Sequence, residues 1–486
     1  MSLVHKAARG ALWTVISSMG GRAVGVLGTL VLTRFLHPEV IGEVSDATIL
    51  CMTANWLTIW GFGQYTVVRG HGEVEAEVTW HATVAYVVLG AISIGAIALI
   101  GGRLTPLLDA PHAAVYVPGM ALAIFIRRLG AMPERVLTKR MEFRPSGVAL
   151  AVGEFTYTAT TLALAAAGWG GMSIVAGNIA QSTIVVAIFL RAAGVRSWAT
   201  PTRLRAARFK DMLRYGVPLG AQGIAHQASR YWDNLAISRF FGPAACGTYN
   251  MAYNLADIPA IQVGEQIALV LLPSMTNLPR ERRGPALERA AALLSIVIFP
   301  LAVGLGLVAY PLIAAILPAD QWQEVAPLLT VLACLSVFRP ISWVLSAYME
   351  AEAKTNRLMF LELGKLVVLL GGIALLAPLG VRASACAVGI AFGATAIGGI
   401  AMVAHEGPSI SRLAIGFFQP LAACAVMAGA VLGVHRAIAG DSPWLQLPVE
   451  IVAGALTYVV AILAIAPERS RDLLGLCRHA LSRHPA

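Results

Sequence analysis

The chain has 486 residues, of which 57% are hydrophobic and only 13% charged, and its mean hydropathy is +0.72. A water-soluble domain carries about 25% charge, so that class is excluded. Apolar runs of roughly 20 residues, each able to cross about 30 Å of hydrocarbon as a helix, recur throughout, without the alternation over about 10 residues that marks a membrane barrel. The net charge of +10 does not point to nucleic acid, because it is concentrated between the apolar runs.

Pro, Gly and charge clusters divide the chain into about fourteen membrane-spanning helices. Span one runs from about 10 to 36 and follows MSLVHKAARG without a small-residue cleavage pattern, so it reads as a retained helix and not a signal peptide. It contains Arg22 among Gly20, Gly21, Gly25 and Gly28. Span two (about 39 to 66) carries Glu39, Glu43 and Asp46, and span three covers about 79 to 101. Span four (about 113 to 134) ends in Arg127 and Arg128, close enough to the basic PERVLTKRMEFR segment to snorkel to the surface. Spans five and six cover about 147 to 167, with Glu154 and Tyr157, and about 172 to 191.

A basic stretch from Arg191 to Arg214 then leads into span seven (about 212 to 241), where Gln222, His226, Arg230 and Asp233 or Asn234 recur every three to four residues as one polar stripe. Span eight (about 244 to 274) repeats the arrangement with Asn250, Asn254, Asp257 and Glu265, flanked by Tyr249 and Tyr253. The remaining spans cover about 287 to 310, 323 to 348, 358 to 378, 381 to 404, 412 to 436 and 446 to 466. Lys365 lies one turn from Glu362, which predicts a local pair. The six cysteines are scattered through apolar segments, without metal or redox spacing, and read as small core residues.

With both termini inside, the inner loops hold 25 Lys and Arg and the outer loops only Arg103, Arg382 and Arg436. The positive-inside rule therefore places both termini in the cytoplasm, and attraction of the basic loops to anionic lipid accounts for most of the net charge.

The stretch LVLTRFLHPEVIGEV (Leu30 to Val44) reappears as LAISRFFGPAACGTY (Leu235 to Tyr249), 205 positions on, with Arg34 matching Arg239, Phe35 Phe240, Pro38 Pro243 and Gly42 Gly247. The offset spans six helices, an even number, so the halves are parallel repeats, a plan that places a substrate site between lobes. The expected domains are an N-lobe over 1–195, a basic cytoplasmic linker over 196–211, a C-lobe over 212–405, and 406–486 holding the last two spans and a tail. Arg34 and Arg239 either neutralise helix C-termini at the outer corner or form a cationic ring at the outer mouth. Pro suits the first turn of the next helix and Gly a close backbone approach.

Charges inside a spanning helix are costly and are functional candidates by default. Arg22 reads as substrate-facing or as half of an internal ion pair. The two polar stripes, with Glu154, Tyr157 and the acids of span two, line a shared water-filled cavity, or else bond to each other between lobes. No HExxH, P-loop or paired CxxC occurs, and no loop is long enough for a catalytic domain, so no enzyme activity, cofactor or metal is expected.

Three segments carry a resemblance: RYGVPLGAQGIAHQASRYWDNLAISRFFGPAACGTYNMAYNLADIP (Arg214 to Pro259), LTRFLHPEVIGEVSDA and LPADQWQEVAPLLTVLA. Over about residues 8 to 405 the chain resembles the polysaccharide transporter (Wzx-like) branch of the multidrug/oligosaccharidyl-lipid/polysaccharide exporter superfamily, the flippases of O-antigen, capsule and exopolysaccharide repeat units. The resemblance implies two six-helix lobes plus two C-terminal helices in the bacterial inner membrane. It further implies alternating access, undecaprenyl-diphosphate-linked glycan as substrate, and a polysaccharide polymerase and chain-length regulator as partners.

Positions matching the family's cavity are Arg22, Arg230, Asp233, Asn250, Asp257 and Glu265. Arg22 and Arg230, with Gln222, His226, Asn250, Tyr253 and Asn254, are the expected substrate contacts, since arginine binds phosphate oxygens bidentately. Asp233, Asp257 and Glu265 are the expected ion-coupling acids, with permanent pairing to Arg230 as the structural alternative. A peptidoglycan-precursor flippase is the nearest competing reading. A multidrug antiporter would need an acid-dominated cavity, and a membrane glycosyltransferase would need catalytic outer loops.

Overall fold

The computed structural model describes residues 20–21, 24–70, 72–140, 142–259, 275, 278–318, 320–352, 354–404, 408–438, 440 and 442–482. All regular structure among them is helical. Among the described residues nine helices are long and apolar enough to cross a membrane, and they correspond to expected spans three, five, six and nine to fourteen. The chain divides into two compact units, Met1–Gly247 and Thr248–Ala486.

The first unit contains α1 (Pro38–Trp56), α2 (Phe62–Arg69), α3 (Glu75–Leu104), α4 (Val117–Leu129), α5 (Ala131–Lys139), α6 (Phe143–Ala166), α7 (Met172–Ala193) and most of α8 (Ala206–Pro259). Pro38 opens α1, where its fixed φ and missing N–H cost nothing. Ala47, Cys51, Ile94, Met120 and Val175 form a core joining α1, α3, α4 and α7. Span two is not the single helix expected. It breaks after α1 at residues 57–61, where Trp60 and Gly61 take left-handed backbone (φ 41° and 64°). A break inside a membrane exposes carbonyls that only protein groups can satisfy. The Arg128 guanidinium does so, donating to the carbonyls of Asn55 at 3.2 Å and Thr58 at 3.0 Å.

Arg128 is therefore buried and does not snorkel, whereas its neighbour Arg127 is exposed. The α8 helix packs over the break through Gly216 and Gly220, at which any Cβ would meet the Trp60 carbonyl and ring respectively. Span four is likewise divided, at Gly130 between α4 and α5. Spans seven and eight run together as α8, bent at Gly242 (φ 80°, ψ 172°).

The basic segment ahead of α8 is docked on the first unit. His81, fully buried, has Nδ1 2.7 Å from the Glu77 carbonyl and Nε2 2.8 Å from the Arg205 amide, which sets its tautomer: Nδ1–H donates and Nε2 accepts. Thr83 donates to the Trp198 carbonyl at 3.1 Å, the Phe209 ring lies 5.0 Å from His81, and Arg208 contacts Glu77 at 3.5 Å. Replacing His81 by Ala strands a backbone N–H, a loss of about 1–3 kcal/mol. Limited trypsinolysis after Arg203 and Arg205 is expected to run on the order of ten times faster in His81→Ala, with His81→Gln, which keeps an acceptor, closer to wild type. Equal cleavage of all three would show that the segment is held by other contacts.

The second unit contains the end of α8 and then α9 (Arg280–Leu307), α10 (Ala309–Ile316), α11 (Val325–Leu335), α12 (Arg339–Ala351), α13 (Thr355–Leu376), α14 (Val381–Val403), α15 (Ile410–Ala437), α16 (Pro443–Ile465) and α17 (Pro467–Ser482). The last two spans are integral to it. Phe417 of α15 packs on Phe299 and Phe338 with ring centroids 5.0 and 5.7 Å away, and Tyr458 of α16 donates to the Ile296 carbonyl at 2.8 Å. Span ten is interrupted by a 3-10 turn, Ser336–Phe338, between α11 and α12.

Candidate functional site

In the first unit the α8 stripe descends from an exposed His226, whose carbonyl accepts from Ser229 at 2.9 Å, through a half-buried Arg230 to a buried Asp233. Asp233 Oδ1 accepts from both the backbone and the side chain of Asn234, at 2.9 and 3.0 Å. Trp232 donates to Thr53 at 3.0 Å and Tyr231 packs on Trp56 at 5.4 Å, fixing the helix against α1. Gln222 lies on the same helix, but its side chain is outside the described residues, as are Arg22 and Glu265 altogether. Of the glycines around Arg22, a Cβ on Gly21 would lie 3.4 Å from Glu154 and one on Gly25 3.1 Å from it, and Gly28 faces Thr158, whereas Gly20 faces open space. Three of the four thus serve contact with α6. Glu154 itself accepts from Gln181 at 2.9 Å.

In the second unit Asn254 donates to Asn250 at 2.8 Å, and the Tyr249 and Tyr253 rings lie 6.0 Å apart. Asp257, two turns on from Asn250, pairs with Arg339 at the start of α12, both about 95% buried. Arg339 lies 82 residues away, a separation no local pattern discloses. Arg339 also sits over the rings of Tyr253 (5.4 Å) and Phe392 (4.9 Å). The Lys365–Glu362 pair expected from spacing forms at 2.7 Å, with Lys365 on the same Phe392 ring at 5.4 Å. Four buried charges thus neutralise one another around a single aromatic ring, a favourable setting for cations.

The repeated corners meet. A Cβ on Gly42 would strike the Pro243 carbonyl and lie 3.0 Å from the Gly247 nitrogen; one on Gly247 would strike the Pro38 carbonyl and lie 3.0 Å from the Gly42 nitrogen. Such reciprocity is the mark of a two-fold relation between like segments. Matching positions share their environment: Thr33 and Ser238 are buried, Arg34 and Arg239 exposed, and Phe35 and Phe240 are 46% and 47% exposed. The pair differs in its hydroxyl partners. Thr33 donates to its own helix, but Ser238 donates to the buried Asp46 of α1, which also lies 3.7 Å from the Cys246 thiol.

The family model described as "Polysaccharide biosynthesis protein" matches residues 31–327, a stretch that includes both corners and both stripes. The chain belongs to that family. This member is 26% identical over 479 residues to the succinoglycan biosynthesis transport protein ExoT of Rhizobium meliloti, covering 96% of this chain and 94% of that one. It is 22% identical over 363 residues to the lipopolysaccharide biosynthesis protein WzxC of Escherichia coli, covering 73% and 72% respectively. Among solved structures, the lipid II flippase MurJ in an inward closed conformation superposes with a TM-score of 0.79 at 13% identity over 95% of this chain and all of that one. A multidrug MATE transporter in an inward-facing conformation gives 0.58 at 15% identity over 86% of this chain and 96% of that one. At such identities the likeness establishes the fold. This family member is a multi-pass helical membrane protein of the MOP superfamily fold, related to transporters of polysaccharide biosynthesis.

Proposed function

We propose that this protein flips undecaprenyl-diphosphate-linked oligosaccharide repeat units across the bacterial inner membrane by alternating access, for O-antigen, capsule or exopolysaccharide assembly. The observation that carries the proposal is the α8 stripe, which presents His226 and a half-buried Arg230 one turn apart in a family related to polysaccharide transport proteins. A diphosphate headgroup crossing the membrane needs compensating cations, and arginine offers a planar fork for its oxygens. Arg230 and Arg22 are assigned to the headgroup, Gln222, Asn250, Tyr253 and Asn254 to the polar part of the substrate, and Asp233, Asp257 and Glu265 to coupling.

Deleting the gene is expected to leave a lipid-linked glycan on the cytoplasmic leaflet. The Arg22→Ala, Arg230→Ala double variant should abolish export at normal membrane abundance, and the Lys variants, which keep charge but lose the fork, should leave a small residual. Near-normal export by the double Ala variant would remove both arginines from the mechanism. Accumulation of peptidoglycan precursor instead of another glycan would favour the competing flippase reading.

A further inference from the structure

The first unit contains a partly open cavity of about 220 Å³ whose polar lining includes Asn55, Arg127, Arg128, Glu134, Asn178 and Ser182. Arg128 is built into its wall: it is 5% exposed, and Gly90 leaves the space its side chain occupies, since any Cβ there would meet Cδ and Nε. A guanidinium has five N–H groups. Nε donates to the Tyr86 carbonyl at 2.6 Å, Nη1 to the carbonyl of Asn55 at 3.2 Å and to its Oδ1 at 2.6 Å, and Nη2 to the Thr58 carbonyl at 3.0 Å. One N–H on Nη2 is left over. Every one of these acceptors is neutral. The partial negative charge at the end of α1 offsets about half of the guanidinium charge at most.

The remaining lining is rich in donors. Because Asn55 turns its Oδ1 to Arg128, its amide NH₂ is on the other side of the carboxamide. Asn178 spends one amide hydrogen on the Ile174 carbonyl at 2.9 Å and retains the second. Ser182 adds a hydroxyl, and the exposed Arg127 brings a second full positive charge. Against two guanidinium groups stands one carboxylate, Glu134, and neither arginine has a carboxylate within 4.0 Å among the described residues. A desolvated cation surrounded by neutral acceptors and facing a donor-lined space is stabilised by an anion in that space.

We propose that this cavity binds a small free oxyanion of the carboxylate or phosphate class, held by Arg127, Arg128 and the amides of Asn55 and Asn178. The space accommodates such an ion with a few waters, and the occupant proposed is the free ion and not part of the glycan. The site is distinct in its residues from the headgroup contacts assigned to Arg22 and Arg230, and it stands whether or not that assignment does. Occupancy neutralises the charge at the break in span two and so stabilises the first unit in this arrangement.

The test is thermal unfolding of the purified full-length protein in detergent, titrated with sodium acetate or sodium phosphate against sodium HEPES at constant ionic strength. A bound ion raises the midpoint in a saturable way. Wild type is expected to show that rise with acetate or phosphate and not with the bulky HEPES anion. Arg127→Ala should increase the half-saturating concentration at least tenfold, and Glu134→Gln, which removes the opposing charge, should lower it. No anion-specific rise in wild type, an unaltered half-saturating concentration in Arg127→Ala, or weaker binding in Glu134→Gln would each overturn the proposal.

Discussion

Replacing Asp257 by Asn will deplete the protein from the membrane, and replacing Arg339 by Gln in the same chain will restore it. Both side chains are about 95% buried and paired, so the single change leaves a guanidinium without its counter-charge. Breaking a buried pair from one side costs about 3–5 kcal/mol, whereas removing both charges is often close to neutral. Against a net stability of roughly 5–15 kcal/mol, the single loss is large. The Lys365–Glu362 pair beside the same Phe392 ring is already neutral and offers Arg339 no replacement counter-charge. Membrane abundance and the thermal midpoint in detergent measure the effect, and an unchanged midpoint for Asp257→Asn would show that Arg339 is compensated elsewhere. With abundance restored, export by the double variant then tests the coupling role proposed for Asp257; normal export would remove it.

Gly42→Val is expected to stop export and expose Cys246. The Gly42 and Gly247 backbones approach so closely that the first carbon of a side chain at either overlaps the carbonyl of Pro243 or Pro38. Backbone atoms cannot swing aside as a flexible side chain does, so valine must force the two corners apart. Cys246 lies beside this contact and is fully buried, 3.7 Å from Asp46. In a background where Cys246 is the sole cysteine, labelling by a membrane-impermeant maleimide should be negligible in wild type and pronounced in Gly42→Val. Gly247→Val should behave in the same way, because the contact is reciprocal. Export within a few-fold of wild type at normal abundance, with Cys246 still protected, would mean that the corner yields without opening.

The sequence by itself determined that this is a helical membrane protein, because span-length apolar runs and loop charge are properties of composition read locally. It determined the corner repeat as well: the arginine, proline and glycine of LTRFLHPEVIG and ISRFFGPAACG serve the same turn twice, and the structure pairs the two turns. The Lys365–Glu362 pair was legible because both partners lie on one helix. Where partners come from different helices, only the tertiary structure decided. Arg127 and Arg128 are indistinguishable by type and neighbourhood, yet adjacent residues on a helix point about 100° apart, so one is exposed at the mouth of the cavity and the other is buried in the gap left by Gly90. The break at Trp60 had a local signal in Gly61 and Gly63, but isolated glycines are common in spanning helices, and the Thr58 carbonyl there is satisfied by an arginine 70 residues away. The Asp257–Arg339 pair was hidden for the same reason: helical periodicity fixes the face on which a charge lies, but its partner is fixed by which helices pack against that face, and that depends on the whole chain.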